Sequence, residues 1–394
     1  MICKKIAIVS DMLVSIGGAE RVLFALLRKY PQADIYTSYF IPEKFPQIDP
    51  KKVHVAFKIR GLNKLFWKLP VYRAFVSRIY NILAPVGFES FNLQKYDLII
   101  SISARSAKGV IPGLNSKHIC LVQTPPRYEW DNDEEARVGN KSGVIRVLSR
   151  LWGTWYKLWD KVAIERADYL IANSKYIAEK IKKVYRKDCE VIYPGVDSYW
   201  FSESLENSIN QNEEPLKDAK LQKHKEFTKP YDKYFLVVSR LFMYKRVDWA
   251  VKASISLGFN LVIVGDGPEK KNLEKIARRH KNITIMGMQP DDMYIKFLYG
   301  NAQALIFCGV EDFGLVPIEA MAQGCPIIAY NKGGVKETVI ENETGYFFDD
   351  YEHLKTILNH FDKPKFDSKK IINRARQFTS EKFIDKITNF VDHI

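Results

Sequence analysis

Short apolar runs alternate with amphipathic helical stretches along most of this chain, and this alternation limits the fold more than any other feature. In the first half, the predicted strands are 5–10, 96–101, 119–122, 169–173 and 191–193, and the predicted helices are 18–29 and 174–184. Strands that alternate with helices predict a parallel sheet with helices on both of its faces.

The second half of the chain repeats the alternation after a polar segment. Residues 202–232 are rich in Glu, Asn, Lys and Gln, which predicts an exposed insertion. The strands predicted beyond it are 234–239, 260–264, 284–286, 304–308 and 327–329, and the helices are 247–257, 270–280, 291–299, 317–322 and 334–340. We therefore expect two α/β domains, 1–195 and 233–376, joined by a linker at 196–232, with ligands held in a cleft between facing strand ends.

The cysteines and histidines give no sign of a metal site or a disulfide framework. Five cysteines are scattered through 394 residues without a C-x-x-C pair, and the seven histidines do not cluster. We therefore expect no bound metal and a reducing, cytoplasmic compartment. The N-terminal apolar run is too short for a signal peptide, and no other stretch has the length of a membrane span.

The net charge of +14 suits an anionic partner, although ordinary solubility is the alternative. Two stretches, 51–83 and 141–166, alternate Lys and Arg with large apolar residues, which is the composition of a helix in a membrane interface. This interpretation predicts peripheral contact with the inner face of an anionic membrane, whereas aromatic rows at helical spacing also line protein cores. No DNA- or RNA-binding motif accompanies the charge, so nucleic acid is not an expected partner.

Two carboxylates, Glu311 and Glu319, lie eight positions apart on either side of a predicted strand-to-helix junction. Backbone N–H groups at Gly314, Leu315 and Val316 would then be the unpaired donors of a helix N-terminus, which suit a phosphate or a sugar hydroxyl. The carboxylates can accept hydrogen bonds from the vicinal hydroxyls of a ribose or a hexose. The alternative is that Glu311 is a solvated loop charge and Glu319 complements the helix dipole.

Two further motifs follow predicted strands of the second domain. Arg240 and Lys245 come after its first strand, where a guanidinium and an ammonium suit a diphosphate or, in the alternative, cap a basic helix. Gly265 lies in a Gly-Asp-Gly-Pro turn after the next strand, and glycines there let the backbone run close to a ligand. The chain has neither the G-x-G-x-x-G fingerprint at this turn nor a P-loop, which argues against dinucleotide and P-loop sites.

The first domain has three weaker motifs at its strand ends. Gly17 and Gly18 open the first helix and would let backbone amides approach an anion. Gln123 begins a Gln-Thr-Pro-Pro-Arg-Tyr segment that includes Arg127, and Lys108 belongs to a Ser-Ala-Arg-Ser-Ala-Lys-Gly segment. We place Lys108 and Arg127 on the acceptor side of the predicted cleft. Five strand-end motifs that converge on one cleft indicate a ligand site.

Taken together, these motifs resemble the retaining glycosyltransferases of family 4, which have two Rossmann-like domains in the GT-B arrangement. The resemblance covers nearly the whole chain, and its most specific element is Glu-x7-Glu followed by Ala320-x-Ala322-x-Gly324-x-Pro326. The resemblance implies an α/β GT-B fold with a cleft between the domains. It also implies a C-terminal helix, 377–394, that crosses back to the first domain.

The resemblance also gives roles to individual residues. Arg240 and Lys245 would hold the donor diphosphate and Glu311 the donor hexose, and these three are the expected catalytic residues. Glu319 would hold the ribose hydroxyls, and the nucleobase would lie near the 287–288 turn. The other expected donor-binding residues are Gly17, Gly18, Gln123, Gly265, Gly287, Met288, Asp312, Phe313, Gly314, Leu315 and Val316.

One position departs from the family pattern. Gln123 and Pro125 stand where the family commonly has His-x-Pro, and that histidine hydrogen-bonds a sugar hydroxyl or the region of the transition state. An amide can donate and accept hydrogen bonds, but it cannot carry a charge. The difference bears on the rate of transfer or on the choice of donor.

The activity implied by the resemblance is metal-independent, retaining transfer of a hexose from a nucleoside diphosphate sugar, with UDP-glucose favoured over GDP-mannose. The acceptor would be a glycan or a lipid-linked sugar in cell-surface polysaccharide synthesis, and no cofactor is expected besides the donor substrate. Catalysis would rest on positioning and electrostatics. Two alternatives stay open: a nucleotide-sugar 2-epimerase of the same architecture, and a non-catalytic sugar-nucleotide-binding protein, which Gln123 makes conceivable.

Overall fold

Each half of the chain forms its own parallel β-sheet. A computed structural model describes residues 4–57, 82–131, 143–202 and 229–394. The chain divides into two compact units: unit 1 comprises Met1–Tyr193 together with Ile384–Ile394, and unit 2 comprises Pro194–Phe383. Most of the predicted polar insertion and most of the first basic aromatic stretch lie outside the described residues.

Unit 1 contains a seven-stranded sheet in the order β3-β2-β1-β4-β5-β6-β7. The strands are β1 (Ile6–Leu13), β2 (Asp34–Phe40), β3 (Val53–Val55), β4 (Leu98–Ser103), β5 (Lys117–Val122), β6 (Tyr169–Ala172) and β7 (Glu190–Val191). All neighbouring strands are parallel, and β4 is buried along its whole length, as expected of a strand covered on both faces. Because β1 pairs with both β2 and β4, the strand order reverses between them, and ligands of such sheets bind at that point.

The helices of unit 1 include one that is much longer than the others described. Its labelled helices are α1 (Gly18–Lys29), α2 (Arg127–Trp130), α3 (Val144–Ile164) and α4 (Lys175–Tyr185), and residues 82–89 are also helical. Ser174 caps α4, because its side chain accepts a hydrogen bond from Ile177 N at 3.1 Å. No helix in the described parts of the chain is both long enough and apolar enough to cross a membrane.

Unit 2 contains a six-stranded sheet in the order β10-β9-β8-β11-β12-β13, again with parallel neighbours. The strands are β8 (Phe235–Val238), β9 (Leu261–Val264), β10 (Ile283–Gly287), β11 (Leu305–Phe307), β12 (Ile327–Tyr330) and β13 (Gly345–Phe348). The helices are α5 (Val247–Leu257), α6 (Lys270–Ala277), α7 (Asp292–Asn301), α8 (Leu315–Met321), α9 (Tyr351–Asn359) and α10 (Ser368–Ala375). The core of this unit includes buried side chains of β8, β9, α5 and α9.

The last helix, α11 (Ser380–Asp392), begins in unit 2 and ends in unit 1. At its start, the Ser380 hydroxyl donates to Asp197 Oδ1 at 2.8 Å within unit 2. Near its end, Val391 is buried and Phe390 packs edge-on against Tyr169 of β6, with ring centroids 5.6 Å apart. One continuous helix therefore contributes to the packing of both units.

The α/β prediction is confirmed, but several elements need correction. The sequence prediction missed β2, β3, β13 and α9, and it placed a helix at 334–340 where only a 3-10 turn, Gly334–Glu337, forms. Strand β2 escaped notice because it buries two hydroxyl residues, Thr37 and Ser38, which break the apolar pattern. Both hydroxyls donate to the backbone carbonyl of Asp11, so their burial leaves no unmade hydrogen bond.

Candidate functional site

In unit 2, glycines allow the backbone of the loop after β9 to lie close to that of the loop after β8. Gly265 has a φ of +142°, and a Cβ at this position would lie 1.8 Å from the carbonyl oxygen of Ser239. Leu241 N donates to Asp266 O at 2.9 Å, which ties the two loops together. Only glycine fits at residue 265, because any side chain would strike neighbouring backbone. The Gly-Asp-Gly-Pro turn thereby fixes the position of the segment that carries Arg240 and Lys245.

Lys245 and Glu311, expected at the diphosphate and at the hexose, are in direct contact as an ion pair. Their segments follow β8 and β11, which are neighbours in the sheet, so the topology brings them together. The Lys245 side chain is 4% exposed, whereas that of Glu311 is 26% exposed. Gly309 permits this approach, because a Cβ there would lie 3.0 Å from Lys245 Cδ. The ammonium group is therefore buried beside a carboxylate that solvent still reaches.

Tyr244 lies against both of the expected diphosphate-binding cations. The Lys245 Nζ atom is 4.9 Å from the centroid of its ring, and an Arg240 guanidinium nitrogen is 3.4 Å from its hydroxyl. Arg240 is exposed, and its guanidinium also lies 5.7 Å from the ring centroid of Phe242. A solvent-facing guanidinium next to a buried ammonium can neutralise a polyanion from two sides.

The segment that follows Glu311 is held by a glycine pair that the sequence analysis did not single out. Gly334 N donates to Glu311 O at 2.9 Å, and a Cβ on Gly334 would lie 2.3 Å from the carbonyl oxygen of Asp312. Gly333 has a φ of +87°, and a Cβ there would lie 2.4 Å from the carbonyl oxygen of Glu311. The Gly-Gly sequence directly beyond β12 was the signal that could have revealed this support.

Helix α8 begins at Leu315, two residues before the predicted start, and follows Gly314 with its φ of +94°. Glu319 is buried, and one of its carboxylate oxygens accepts a hydrogen bond of 3.3 Å from the Tyr299 hydroxyl. Phe313 is also buried and packs edge-on against Phe378. The side chain of Phe313 therefore belongs to the core of unit 2.

The expected base-binding turn ends β10 with a bulge that precedes Gly287. Gly287 has a φ of +70°, and its carbonyl oxygen accepts from Gly265 N at 2.8 Å. The next residue, Met288, is exposed. Lys270 of α6 reaches over this turn, since its Nζ atom would lie 3.1 Å from a Cβ on Gly287. The turn that was expected near the base therefore connects directly to the Gly-Asp-Gly-Pro turn.

In unit 1, Asp11 organises the loop after β4. One carboxylate oxygen accepts from Ala104 N at 2.8 Å and Arg105 N at 2.9 Å, and the other accepts from Ser106 N at 2.7 Å and Ala107 N at 2.8 Å. Four backbone donors on one carboxylate form a concave anion site that the protein fills itself. The sequence pattern did not reveal this connection, because more than 90 residues separate the partners.

The placement of Lys108 on the acceptor side was wrong. Its side chain is 0% exposed and pairs with Asp160 of α3, also 0% exposed, at 2.6 Å. Asp160 accepts two further hydrogen bonds of 2.8 Å, from Trp130 Nε1 and from the Tyr185 hydroxyl. Hydrogen bonds and a counter-ion allow a charged group to be buried, and here they fix Lys108 inside unit 1. An acceptor cannot reach it.

The other expected residues of unit 1 make hydrogen bonds within the unit or stand at the starts of its helices. Gly17 N was expected to approach a ligand anion, but it donates to the protein's own carboxylate, Glu20 Oε2, at 2.8 Å and caps α1. The backbone carbonyl of Gln123 accepts from Asn173 Nδ2 at 3.0 Å, and Gly18 and Arg127 begin α1 and α2.

An ion pair beside the Gln123 segment was missed by the sequence analysis. Arg105 donates to Glu129 Oε1 at 3.0 Å, and its guanidinium lies 5.0 Å from the ring centroid of Tyr156. Burial raises the pKa of Glu129, although the positive charge of Arg105 opposes that rise. The pair lies between the loop after β4 and helix α2. Neither residue stands in an apolar run, so periodicity gave no signal for it.

Within the described ranges, no group of three or more His, Cys, Asp or Glu side chains is placed to hold a metal ion. The described strand-end residues offer cations, carboxylates and backbone amides. Arg240, Lys245, Glu311 and Glu319 all lie in loops or helices next to strand ends of unit 2. Such a set can bind a polyanion that carries vicinal hydroxyls.

Comparison with known proteins gives the same picture for both halves of the chain. Residues 16–199 match the family described as Glycosyltransferase Family 4, and residues 218–378 match Glycosyl transferases group 1. Among curated relatives, the alpha-1,3/1,6-mannosyltransferase ALG2 of Dictyostelium discoideum is 25% identical over 94% of this chain and 92% of its own length. ALG2 of Mus musculus is 24% identical over 57% of this chain, and the match spans only 58% of the mouse protein.

A solved structure supports the fold. Anabaena HepE, crystallised in complex with UDP, aligns with a TM-score of 0.66 at 17% identity and covers 99% of this chain and 100% of its own. The likeness extends over both parallel-sheet units, which confirms the expected GT-B class. With two family matches that together include both units and a strand-end site of the expected residue types, this chain belongs to glycosyltransferase family 4.

Proposed function

We propose that this protein is a retaining, metal-independent hexosyltransferase that takes a hexose from a nucleoside diphosphate sugar. The contact between Lys245 and Glu311 carries the proposal, because it brings the cation expected at the diphosphate next to the carboxylate expected at the hexose. In a sugar nucleotide, the diphosphate oxygen is bonded directly to the anomeric carbon. One donor molecule would therefore meet both side chains at once.

In the proposed reaction, the bond between the anomeric carbon and the diphosphate oxygen breaks while the acceptor oxygen bonds to the same face of that carbon. The acceptor proton passes to the departing diphosphate. Arg240 and Lys245 stabilise the charge that grows on the diphosphate, and Glu311 orients the hexose. Glu319 accepts hydrogen bonds from the ribose hydroxyls and fixes the nucleoside end.

Two donors have separate support. The ALG2 relatives are mannosyltransferases by name, which favours a mannosyl donor such as GDP-mannose. UDP-glucose is favoured because UDP is prevalent among the donors of such enzymes, and the structurally similar HepE was crystallised with UDP. For the acceptor, we propose a glycan or lipid-linked sugar of cell-surface polysaccharide synthesis, used by a protein that is peripheral to the cytoplasmic face of a membrane.

A donor panel tests the proposal. Purified protein is incubated with UDP-glucose, GDP-mannose and other nucleotide sugars, with and without lipid-linked acceptors and with and without EDTA. We expect one donor to yield free nucleoside diphosphate and an acceptor product of retained anomeric configuration, unaffected by EDTA. Conversion of a donor to its epimer without acceptor would support the epimerase instead. Tight donor binding with no turnover on any acceptor would support the non-catalytic alternative.

A further inference from the structure

Helix α3 has a second apolar face that points to solvent. Its inner face buries Tyr156, Ala163 and Ile164. The outer face consists of large apolar side chains that are each 43–64% exposed, namely Val147, Leu148, Leu151, Trp155, Leu158 and Val162. With 3.6 residues per turn, these six positions fall within an arc of roughly 100° and extend for about 22 Å along the axis. We call this set the α3 stripe.

The α3 stripe differs from the scattered apolar side chains that any protein surface shows. Single exposed hydrophobic residues are normal, whereas a contiguous patch marks a surface that something covers. In the described part of unit 2, the exposed large hydrophobic residues belong to separate short segments: Tyr199, Phe242, Met243 and Met288. None of them extends along a helix as the α3 stripe does.

Within α3, the charges beside the α3 stripe are positive, and the exposed carboxylate that directly follows the helix, Glu165, is paired with Lys187 at 2.7 Å. Arg150 and Lys161 are exposed, and Lys157 is half-buried, on the side of the helix that borders the stripe. The only carboxylate in the helix, Asp160, is fully buried in its pair with Lys108. The solvent-facing side of α3 therefore combines an apolar face with cations and carries no exposed anion.

The helix at residues 82–89, which lies beside α3, also has exposed apolar side chains. Glu89 accepts a hydrogen bond of 2.8 Å from Trp159 Nε1 and pairs with Arg166 at 2.7 Å, which places this helix beside α3. Three of its apolar residues are 43–59% exposed, namely Ile82, Leu83 and Val86. Two neighbouring helices thus offer apolar side chains to solvent.

We propose that the α3 stripe docks unit 1 onto an anionic lipid bilayer, with α3 lying along the interface. An amphipathic helix with cations beside its apolar face binds such surfaces by burying apolar area while the positive charges meet acidic headgroups. A second copy of the chain is a poorer occupant, because pairing α3 with α3 would bring like charges together. The proposal deepens the proposed function by giving it a route to lipid-linked acceptors, but membrane binding itself does not depend on transferase activity.

Vesicle flotation tests the proposal directly. The full chain is mixed with vesicles of phosphatidylcholine alone, or of phosphatidylcholine with phosphatidylglycerol, at low and high salt. We expect flotation with the acidic vesicles only, and a loss of flotation as salt rises, because surface charges interact over about a Debye length of 10 Å at 0.1 M salt. Wild-type protein that fails to float with acidic vesicles at low salt would overturn the proposal.

Paired variants separate the apolar from the charged contribution. Leu151→Ser with Leu158→Ser should weaken vesicle partitioning at least roughly tenfold, since each leucine loses its burial in the bilayer. Leu151→Met with Leu158→Met, which keeps the apolar character, should bind like wild type. Equal binding by the serine and methionine variants would show that the stripe does not touch lipid.

A second pair of variants tests the cations, and the two variants carry the same net charge. Arg150→Glu, Lys157→Glu and Lys161→Glu should release the protein from acidic vesicles. The control replaces three exposed lysines of unit 2 with glutamate, Lys275, Lys369 and Lys370, and should leave most of the flotation in place. Equal loss in both triple variants would show that overall charge, and not this surface, attracts the protein.

Two further measurements distinguish lipid docking from self-association and from loss of the fold. Sedimentation velocity without lipid should show a monomer, and a dimer that the paired serine variant dissociates would identify a second copy as the occupant and overturn the lipid proposal. Thermal melts and nucleoside diphosphate binding by calorimetry should be unchanged in every variant. Failure of vesicle binding with donor turnover intact would reject only this proposal, whereas failure of turnover with vesicle binding intact would reject only the proposed function.

Discussion

Each unit of this protein buries one lysine beside a carboxylate, and the two pairs differ in one respect. In unit 1, Lys108 and Asp160 are both 0% exposed. In unit 2, Lys245 is 4% exposed, but its partner Glu311 is 26% exposed. Both partners of the first pair are buried, whereas the carboxylate of the second pair is partly exposed to solvent.

This difference separates a structural role from a functional one. Asp160 contacts Trp130, Tyr185 and Lys108, so both of its carboxylate oxygens face partners within unit 1. Glu311 lies in a loop supported from behind by a glycine pair, and its solvent-facing side leaves room for a ligand. Both lysines stand at strand ends in the sequence, and only the burial of the partner distinguishes them. The four predictions that follow test the contrast between a structural unit 1 and a functional site in unit 2, in order of decreasing expected effect.

Lys108→Ala should cost the most stability. Removing one partner of a buried ion pair leaves an uncompensated charge, so we expect the free energy of unfolding to fall by about 3–5 kcal/mol. Urea denaturation followed by circular dichroism gives the value. Lys108→Met combined with Asp160→Asn removes both charges and should recover much of the loss. A single variant as stable as wild type would mean that the two pairs do not differ as described.

Lys245→Ala should instead reduce activity while the protein stays folded. By analogy with lost transition-state donors, we expect transfer to slow by about 10²–10³-fold, equivalent to about 3–4 kcal/mol. The free energy of unfolding should change by about 1 kcal/mol or less, because water can reach Glu311 and solvate it. Steady-state kinetics alongside thermal melts measures both. Activity within a few-fold of wild type would reject the role at the diphosphate.

The two units should also differ in their sensitivity to acid. His118 lies in β5 and is fully buried, and burial lowers its pKa from 6.5 to about 4. Between pH 6.5 and about 4, His118 binds a proton in the unfolded chain but not in the folded one, and this favours unfolding. The free energy of unfolding is therefore highest above pH 6.5 and falls as pH falls toward about 4. The full change amounts to about 3 kcal/mol.

Unfolding curves between neutral and acid pH check this, and His118→Asn should flatten the pH dependence. The described histidines of unit 2, His280, His353 and His360, are exposed or half-buried, so they provide a matched comparison. If His353→Asn flattens the curve as much as His118→Asn does, the acid sensitivity does not come from unit 1.

Glu319→Ala should have the smallest effect, on donor binding. Loss of hydrogen bonds to a charged group should weaken nucleoside diphosphate binding by about 1–3 kcal/mol. Tyr299→Phe is the matched control, since it removes the hydroxyl that contacts Glu319 and keeps the carboxylate. A 2′-deoxy nucleotide should bind worse than the natural one to wild type and equally well to Glu319→Ala. The same 2′-deoxy penalty in both proteins would contradict contact with the ribose.

The sequence predicted the order of strands and helices well, because period and length of the apolar runs follow directly from burial. Helices α1 and α5 begin and end where the pattern placed them, at Gly18–Lys29 and Val247–Leu257. Strand β2 was missed because the hydrogen bonds that allow Thr37 and Ser38 to be buried are donated to Asp11 of β1, more than 25 residues away in the sequence. A pattern of neighbouring residues in the sequence does not show hydrogen bonds that polar side chains make with distant residues.

The candidate site was predictable in position more than in role. Because parallel sheets bind ligands at the carboxyl ends of their strands, we selected Arg240, Lys245 and Glu311, and all three lie next to strand ends of unit 2. The same reasoning placed Lys108 in the site, because a strand-end position does not say whether a side chain turns inward. Asp11 had no expected role, yet its carboxylate receives four backbone N–H groups from the loop after β4.

Helix α11 has a consequence for how the chain is made. Unit 2, Pro194–Phe383, is synthesised between the two parts of unit 1, so unit 1 must wait for Ile384–Ile394 before Phe390 can cover Tyr169. At about 5–20 residues per second, a ribosome needs roughly 10–40 s for that interval. During this time the Tyr169 side chain lacks the cover of Phe390 on the nascent chain. The N-terminal unit thus begins to fold first and is completed last.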